Sequence, residues 1–249
     1  MKRNLGPLYS YPVGVWLFLL MGIPLCLIFA YSFFEKGLYG GVVPLLSLHA
    51  YRALANSTFL SVALMTSIIA VASTAVITLL ALPTAYFIAR SRFRTLFLFL
   101  VIIPFWINFL VRIYAWIAIL GNNGILNSFL VSAGLVQNHI QFLYNKPSVI
   151  LVTVYTFLPY AILPLYASIE KFDFQLLEAA RDLGATSFQA MVKVLMPCIQ
   201  PGIVTALLFT FIPSFGSYAI PQIIGGRDSL MLGNIVAREL TVTRNWPLA

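Results

Sequence analysis

The sequence predicts an all-α polytopic membrane protein, and three observations carry that prediction. Of 249 residues, 61% are hydrophobic and 9% charged, whereas water-soluble domains run near one quarter charged; mean hydropathy is +0.94. Several apolar stretches are long enough to cross a hydrocarbon core of roughly 30 Å as helices. The net charge of +8 is scattered through short loops beside those stretches. That distribution follows the positive-inside rule and offers no basic stripe for nucleic acid. The predicted solvent is lipid.

The elements follow in order within one transmembrane domain, 1–249. Met1-Lys2-Arg3 is a short basic start. The first span, 12–34, is uncharged, with Tyr11, Trp16 and Tyr31 toward its ends, where aromatic belts form. It is too long for a signal-peptide core and no small-residue cleavage site follows promptly, so a retained span is expected. A loop runs from Glu35 to about Asn56. The second span, 58–89, has 32 uncharged residues, which predicts tilt or protrusion. Arg90, Arg92 and Arg94 end it abruptly with no acid among them, and this turn is expected in the cytoplasm. The third span, 96–120, holds one charge, Arg112. The polar segment 121–146, opening on Asn122-Asn123-Gly124, is expected outside. The fourth span, 148–169, returns to a cytoplasmic loop, 170–200, and the fifth, 202–224, leads outside again. On this reading Lys2, Arg3, Arg90, Arg92, Arg94, Lys171, Arg181 and Lys193 lie inside, against six basic residues outside.

Proline recurs within the spans, at Pro24, Pro83, Pro104, Pro159, Pro164, Pro213 and Pro221. Kinks of this kind mark cavities or hinges between packed membrane helices, although proline is also commoner there in general.

The loop 170–200 is charged and well capped where its surroundings are greasy. Asp173 can accept hydrogen bonds from the first amides of a helix beginning at Phe174. Leu176, Ala179 or Ala180, and Leu183 share one helical face. Gly184 stands where a left-handed residue ends the helix. Thr186 and Gln189 form a capping-box pattern ahead of Phe188, Met191, Val192 and Leu195, spaced i, i+3, i+4, i+7, and Pro197 ends or kinks this second helix. Helix, glycine turn, helix makes a compact knob. Its apolar faces either pack on the bundle's own end or receive a soluble partner. The small Ala179 and Ala180, which allow close approach, tip the reading toward docking.

Glu178-Ala179-Ala180, Gly184 three residues on, and Val194-Leu195-Met196-Pro197 after nine more resemble the EAA loop of ABC-importer permease subunits. Val194 and Met196 are mild apolar departures from that pattern. Ile103–Trp116, Leu163–Ala185, Gly225–Asn234 and Arg244–Pro247 are similar to the spermidine/putrescine-type permeases of the superfamily. The resemblance implies a type I importer permease bundle in a bacterial cytoplasmic (inner) membrane, with the N-terminus and the EAA loop cytoplasmic. It implies that Gln175–Gly184 is a coupling helix seated on an ATP-binding subunit, with Glu178 and Arg181 supplying charge complementarity. It implies as partners an ATPase dimer, a second permease subunit in a heterodimer, and a periplasmic or extracellular solute-binding protein. Such permeases have a sixth span starting just beyond the position of Trp246-Pro247. Five spans are therefore expected, with the sixth either truncated from this sequence or missing from an unusual subunit, and truncation is favoured.

No GxxxxGK[ST] pattern occurs, so ATP and Mg are expected on the partner ATPase and no cofactor on this chain. No nucleophile–base pair or metal-ligand cluster is visible. His49 and His139 are isolated, and Cys26 and Cys198 read as unpaired small hydrophobes. Candidates for the substrate path are Trp106, Arg112, Tyr114, Tyr160 and Tyr218. A membrane-embedded charge is a functional candidate, although Arg112 could equally pair with carbonyls or snorkel. The aromatics could face a cation, with most of them serving packing. The spans hold no carboxylate, and the outside acids are Glu35, Asp228 and Glu239, so recognition of a polyamine would need other subunits. Alternatives are a permease for another solute (ferric ion, opine, amino-acid-like or anion) and a gradient-driven carrier, which predicts intramembrane acid–base pairs absent from the spans.

Overall fold

The computed structural model describes residues 6–249, with side chains from Tyr11 onward; the basic start at Lys2 and Arg3 lies outside the described residues. Four described helices are long and apolar enough to cross a membrane, or five if one bent pair counts as a single span. The chain divides into two compact units, 1–61 with 235–249, and 62–234.

In the first unit, α1 (Gly6–Leu17), a π-helical turn (Phe18–Gly22) and α2 (Ile23–Tyr31) run on from one another. Pro24 has no N–H to give the preceding turn, and the wider π turn precedes it. Side chains along this span are almost all exposed, as befits a helix whose solvent is lipid. The segment expected as a loop is ordered: β1 (Phe34–Lys36) pairs antiparallel with β2 (Val42–Leu46), and α3 (His49–Leu54) follows. Gly40 and Gly41 turn the hairpin with φ of 92° and 82°. The Gly41 N–H donates to the Arg244 carbonyl at 2.9 Å, and a Cβ on Gly40 would stand 2.5 Å from that of Arg244. Glycine is required there twice over, by backbone and by space.

The second unit is built on three helices. These are α4 (Ser57–Arg90, whose first residues belong to the other unit), α8 (Lys146–Glu170) and α12 (Gln200–Phe215). At 34 residues, α4 is about 51 Å long, so the excess length expected of the second span is real. Two apolar clusters share these helices end to end. One gathers Ile77, Ala81, Ala85 and Ile88 of α4 with Leu165 and Ile169 of α8 and Ala206 of α12. The other gathers Ile69 of α4 with Val149 and Val152 of α8 and continues into Ile220 and Ile224. A Cβ on Gly202 would stand 2.2 Å from the Ser168 hydroxyl; α12 lies against α8 because that side chain is missing.

The expected third span, 96–120, is broken. It consists of α5 (Arg94–Ile102), a 3-10 turn (Ile103–Trp106) and α6 (Phe109–Leu120). Ile107 is extended, and the Asn108 side chain accepts from the Leu110 N–H at 2.9 Å, capping α6. Uniform hydropathy hides this break, since Pro104 opens the tight turn and Asn108 starts a new helix. Beyond Gly121 the polar segment contains α7 (Ile125–Ser132), and Phe109–Ser132 together pass as a candidate span. Buried Asn127 staples this region, exchanging hydrogen bonds with the Ile140 backbone and donating to the Gly121 carbonyl. The fifth expected span, 202–224, likewise stops at Phe215, with Gly216–Tyr218 separating it from α13 (Ala219–Ile223). Asn234, in the Gly225–Asn234 stretch, is buried and bonds the Met231 N–H, the Tyr218 carbonyl and Gln222, so that stretch clamps the end of the unit.

Candidate functional site

The loop 170–200 folds as two short helical arms. Asp173 accepts from the Gln175 N–H at 3.0 Å, so α9 (Gln175–Asp182) starts one residue later than the sequence suggests. It ends at Gly184, whose φ is 88° and whose N–H donates to the Arg181 carbonyl at 2.8 Å. Nothing lies within 4 Å of where a Cβ would stand on Gly184. The glycine is needed for its backbone, not for room. The capping box forms as expected, the Thr186 side chain accepting from the Gln189 N–H and the Gln189 side chain from that of Thr186. The second arm is α10 (Ser187–Ala190), a π turn (Met191–Leu195) and α11 (Met196–Cys198). Pro197 cannot donate to the Lys193 carbonyl, and the Met196 N–H reaches back five residues to Met191 instead. A 74° bend around Ile199 then joins this arm to α12.

The faces of the knob differ from their sequence assignment. Leu177 is buried and Phe174 and Ala180 half-buried against the end of the bundle, while Leu176, Ala179 and Leu183 point away. Ala179 and Ala180, taken together in the sequence, therefore serve opposite sides. On the second arm Ala190 and Leu195 are buried and Met191 and Val194 half-buried, whereas Phe188 and Val192 are exposed. The buried face runs through Ala190, Met191, Val194 and Leu195, so the i, i+3, i+4, i+7 set divides. The outcome is an apolar outer surface with Leu176 at 48%, Phe188 at 77% and Leu183 at 89% exposure, beside the exposed charges of Glu178, Arg181 and Asp182. Met196 and Pro197 are exposed at the base of the knob.

Residues that the sequence did not single out hold the knob in place. Phe174 meets Phe172 at 5.5 Å and Tyr86 at 6.1 Å, edge to face. Arg90 stands 5.4 Å over the Phe174 ring and donates to the Tyr86 hydroxyl at 3.2 Å. Arg94 pairs with Glu170 at 2.9 Å. The Arg90–Arg94 turn and the loop thus occupy one end of the unit. Aromatic residues flanking the charged motif were the signal available for this.

Of the five path candidates, the structure brings two to a common neighbour. Phe105 packs edge to face on Tyr160, with centroids 5.0 Å apart, and lies 5.5 Å from the Arg112 guanidinium. Trp106 packs on Phe99 instead, at 5.6 Å. Tyr114 and Tyr218 are exposed and join neither pair.

Residues 77–241 match the family described as Binding-protein-dependent transport system inner membrane component. The chain is 36% identical over 234 residues to the spermidine/putrescine transport system permease protein PotB of Haemophilus influenzae, covering 93% of this chain and 82% of the relative. It is 35% identical to PotB of Escherichia coli K12, covering 93% and 85%. Among solved structures, a chain of a bacterial alginate ABC transporter in complex with an alginate pentasaccharide-bound periplasmic protein superposes with a TM-score of 0.72 at 16% identity. The superposition covers 99% of this chain and 87% of that one.

Proposed function

The chain belongs to the binding-protein-dependent transport system inner membrane components, and on that premise we propose that it is the permease subunit of an ATP-driven polyamine importer. It is a multi-pass inner-membrane component of a transport system. The relatives named for spermidine and putrescine transport support the cargo. The outward Leu176, Leu183 and Phe188 carry the mechanism: they form an apolar surface that the fold of this chain leaves uncovered beside Glu178 and Arg181.

In this mechanism the outer face of α9 seats in a partner ATPase, one of a dimer that binds ATP and Mg. The inner residues Leu177, Ala180 and Val194 fix the knob to the bundle, and Gly184 aims it. ATP-driven closure of the partner moves the knob and with it α12, changing which side of the membrane the path opens to. A second permease subunit and a soluble solute-binding protein complete the importer. The three arginines of the Arg90–Arg94 turn support a cytoplasmic placement for this end.

Affinity purification of the tagged chain in mild detergent, followed by ATP-dependent spermidine uptake in proteoliposomes, tests the reading. An ATPase and a second permease are expected to co-purify. Their absence, with uptake that collapses under an uncoupler, would overturn it in favour of a gradient-driven carrier.

A further inference from the structure

The break between α5 and α6 places two aromatic faces around one cation. Phe105 sits in the 3-10 turn and Phe109 opens α6 just past the Asn108 cap. Arg112, one turn further on, puts its guanidinium carbon 5.5 Å from the Phe105 centroid and 6.0 Å from that of Phe109. Its Nε is buried without a hydrogen-bond partner, and no acid pairs with it among the described residues. Tyr160 backs the Phe105 ring at 5.0 Å, and Phe157 backs Tyr160 at 5.8 Å. Membrane arginines ordinarily pair with acids or carbonyls; this one is held by π faces.

Ring quadrupoles attract an alkylammonium as they attract a guanidinium, so whatever holds Arg112 here would also hold a different organic cation. A second cation on the same ring meets the like charge of Arg112 at close range and is repelled. The unmet Nε makes the present arrangement an exchangeable one. We propose that Phe105, backed by Tyr160, is an organic-ammonium site on the transport path, and that Arg112 is its resident occupant, which must withdraw before a substrate ammonium enters. The proposal rests on the polyamine reading and adds to it a residue that sets the threshold for cation entry.

Equilibrium binding of radiolabelled spermidine and of tetraethylammonium to the purified importer complex tests this. Arg112→Gln is expected to bind both about tenfold more tightly than wild type, Arg112→Lys to stay near wild type, and Arg112→Gln combined with Phe105→Leu to lose the gain. A purely structural role for Arg112 predicts weaker binding on its removal. Unchanged or weaker binding in Arg112→Gln, or a gain that survives Phe105→Leu, would overturn the proposal. Should Arg112→Gln fail to assemble, Arg112→Ala alone and combined with Phe105→Leu decide on the same terms. A gain in tetraethylammonium binding that Phe105→Leu abolishes supports the site, and no gain overturns it. A wild-type complex that imports no polyamine would sink the polyamine reading, while the tetraethylammonium arm still decides the ammonium site.

Discussion

The loop end of the second unit and the break between its α5 and α6 treat charge in opposite ways. At the loop end each cation that helps hold the knob has a partner: Arg94 has Glu170, and Arg90 has the Tyr86 hydroxyl and the Phe174 ring. The side chains turned outward there include the large apolar ones, Leu183 and Phe188. At the break the cation is half-buried with no acid paired to it among the described residues, and two aromatic rings lie against it. The first arrangement holds a rigid surface for something outside the chain. The second leaves a half-buried charge without an ion-pair partner among the described residues. Satisfied polar groups fix a part in place, and each unsatisfied one calls for an explanation of its own.

The comparison can be broken by substitution. The largest effect is expected within the knob itself. Leu177→Ala opens a cavity on its buried face and should cost about 2–5 kcal/mol in detergent unfolding, whereas Leu183→Ala on the outer face should leave stability within about 0.5 kcal/mol yet lower the substrate-stimulated ATPase rate. Equal stability losses in the two variants would show that the outer face is not free. Gly184→Val forces a β-branched residue to a φ of 88° and should cost about 1–2 kcal/mol. Transport should uncouple from ATP hydrolysis while membrane insertion persists; intact ATP-driven uptake would count against the aimed-knob mechanism. Removing the cap at the break, Asn108→Ala, should cost about 1 kcal/mol and alter the cation concentration dependence of uptake without affecting ATPase co-purification. The smallest effect belongs to Arg94→Gln, because both members of its pair are well exposed and such pairs contribute less than about 1 kcal/mol. A loss near that of Leu177→Ala would mean that the loop end depends on charge and not on packing.

What could be read in the sequence was set by the range of the interactions. Thr186 with Gln189, Asp173 with Gln175, and Gly184 are settled within a few residues, so local chemistry predicted the arms of the knob. The faces of those arms were not legible, because each arm carries more apolar residues than one face holds, and periodicity alone does not say which of them meet the bundle. The inner side of α9 is chosen by Tyr86 and Ile88 on the distant α4, with Phe172 just ahead of α9 completing the contact. Hydropathy merged 96–120 into one span where the structure has α5, a tight turn and α6, with Phe109–Ser132 the stretch long enough to cross. Pro104 and Asn108 nevertheless carried the signal of the break in plain view. Arg112 was noticed for its charge, but its aromatic surroundings depend on a turn that only the folded chain supplies.

The bend at Ile199 joins the second arm to α12 with no slack. Ile199 is buried and is the single residue separating the last residue of α11, Cys198, from the first of α12, Gln200. A jointed linker would absorb a push on the knob. A crank set at 74° converts sideways travel of the short arm into tilt of the long one, and with Gly202 seated against Ser168 the fulcrum of that crank lies close to the elbow.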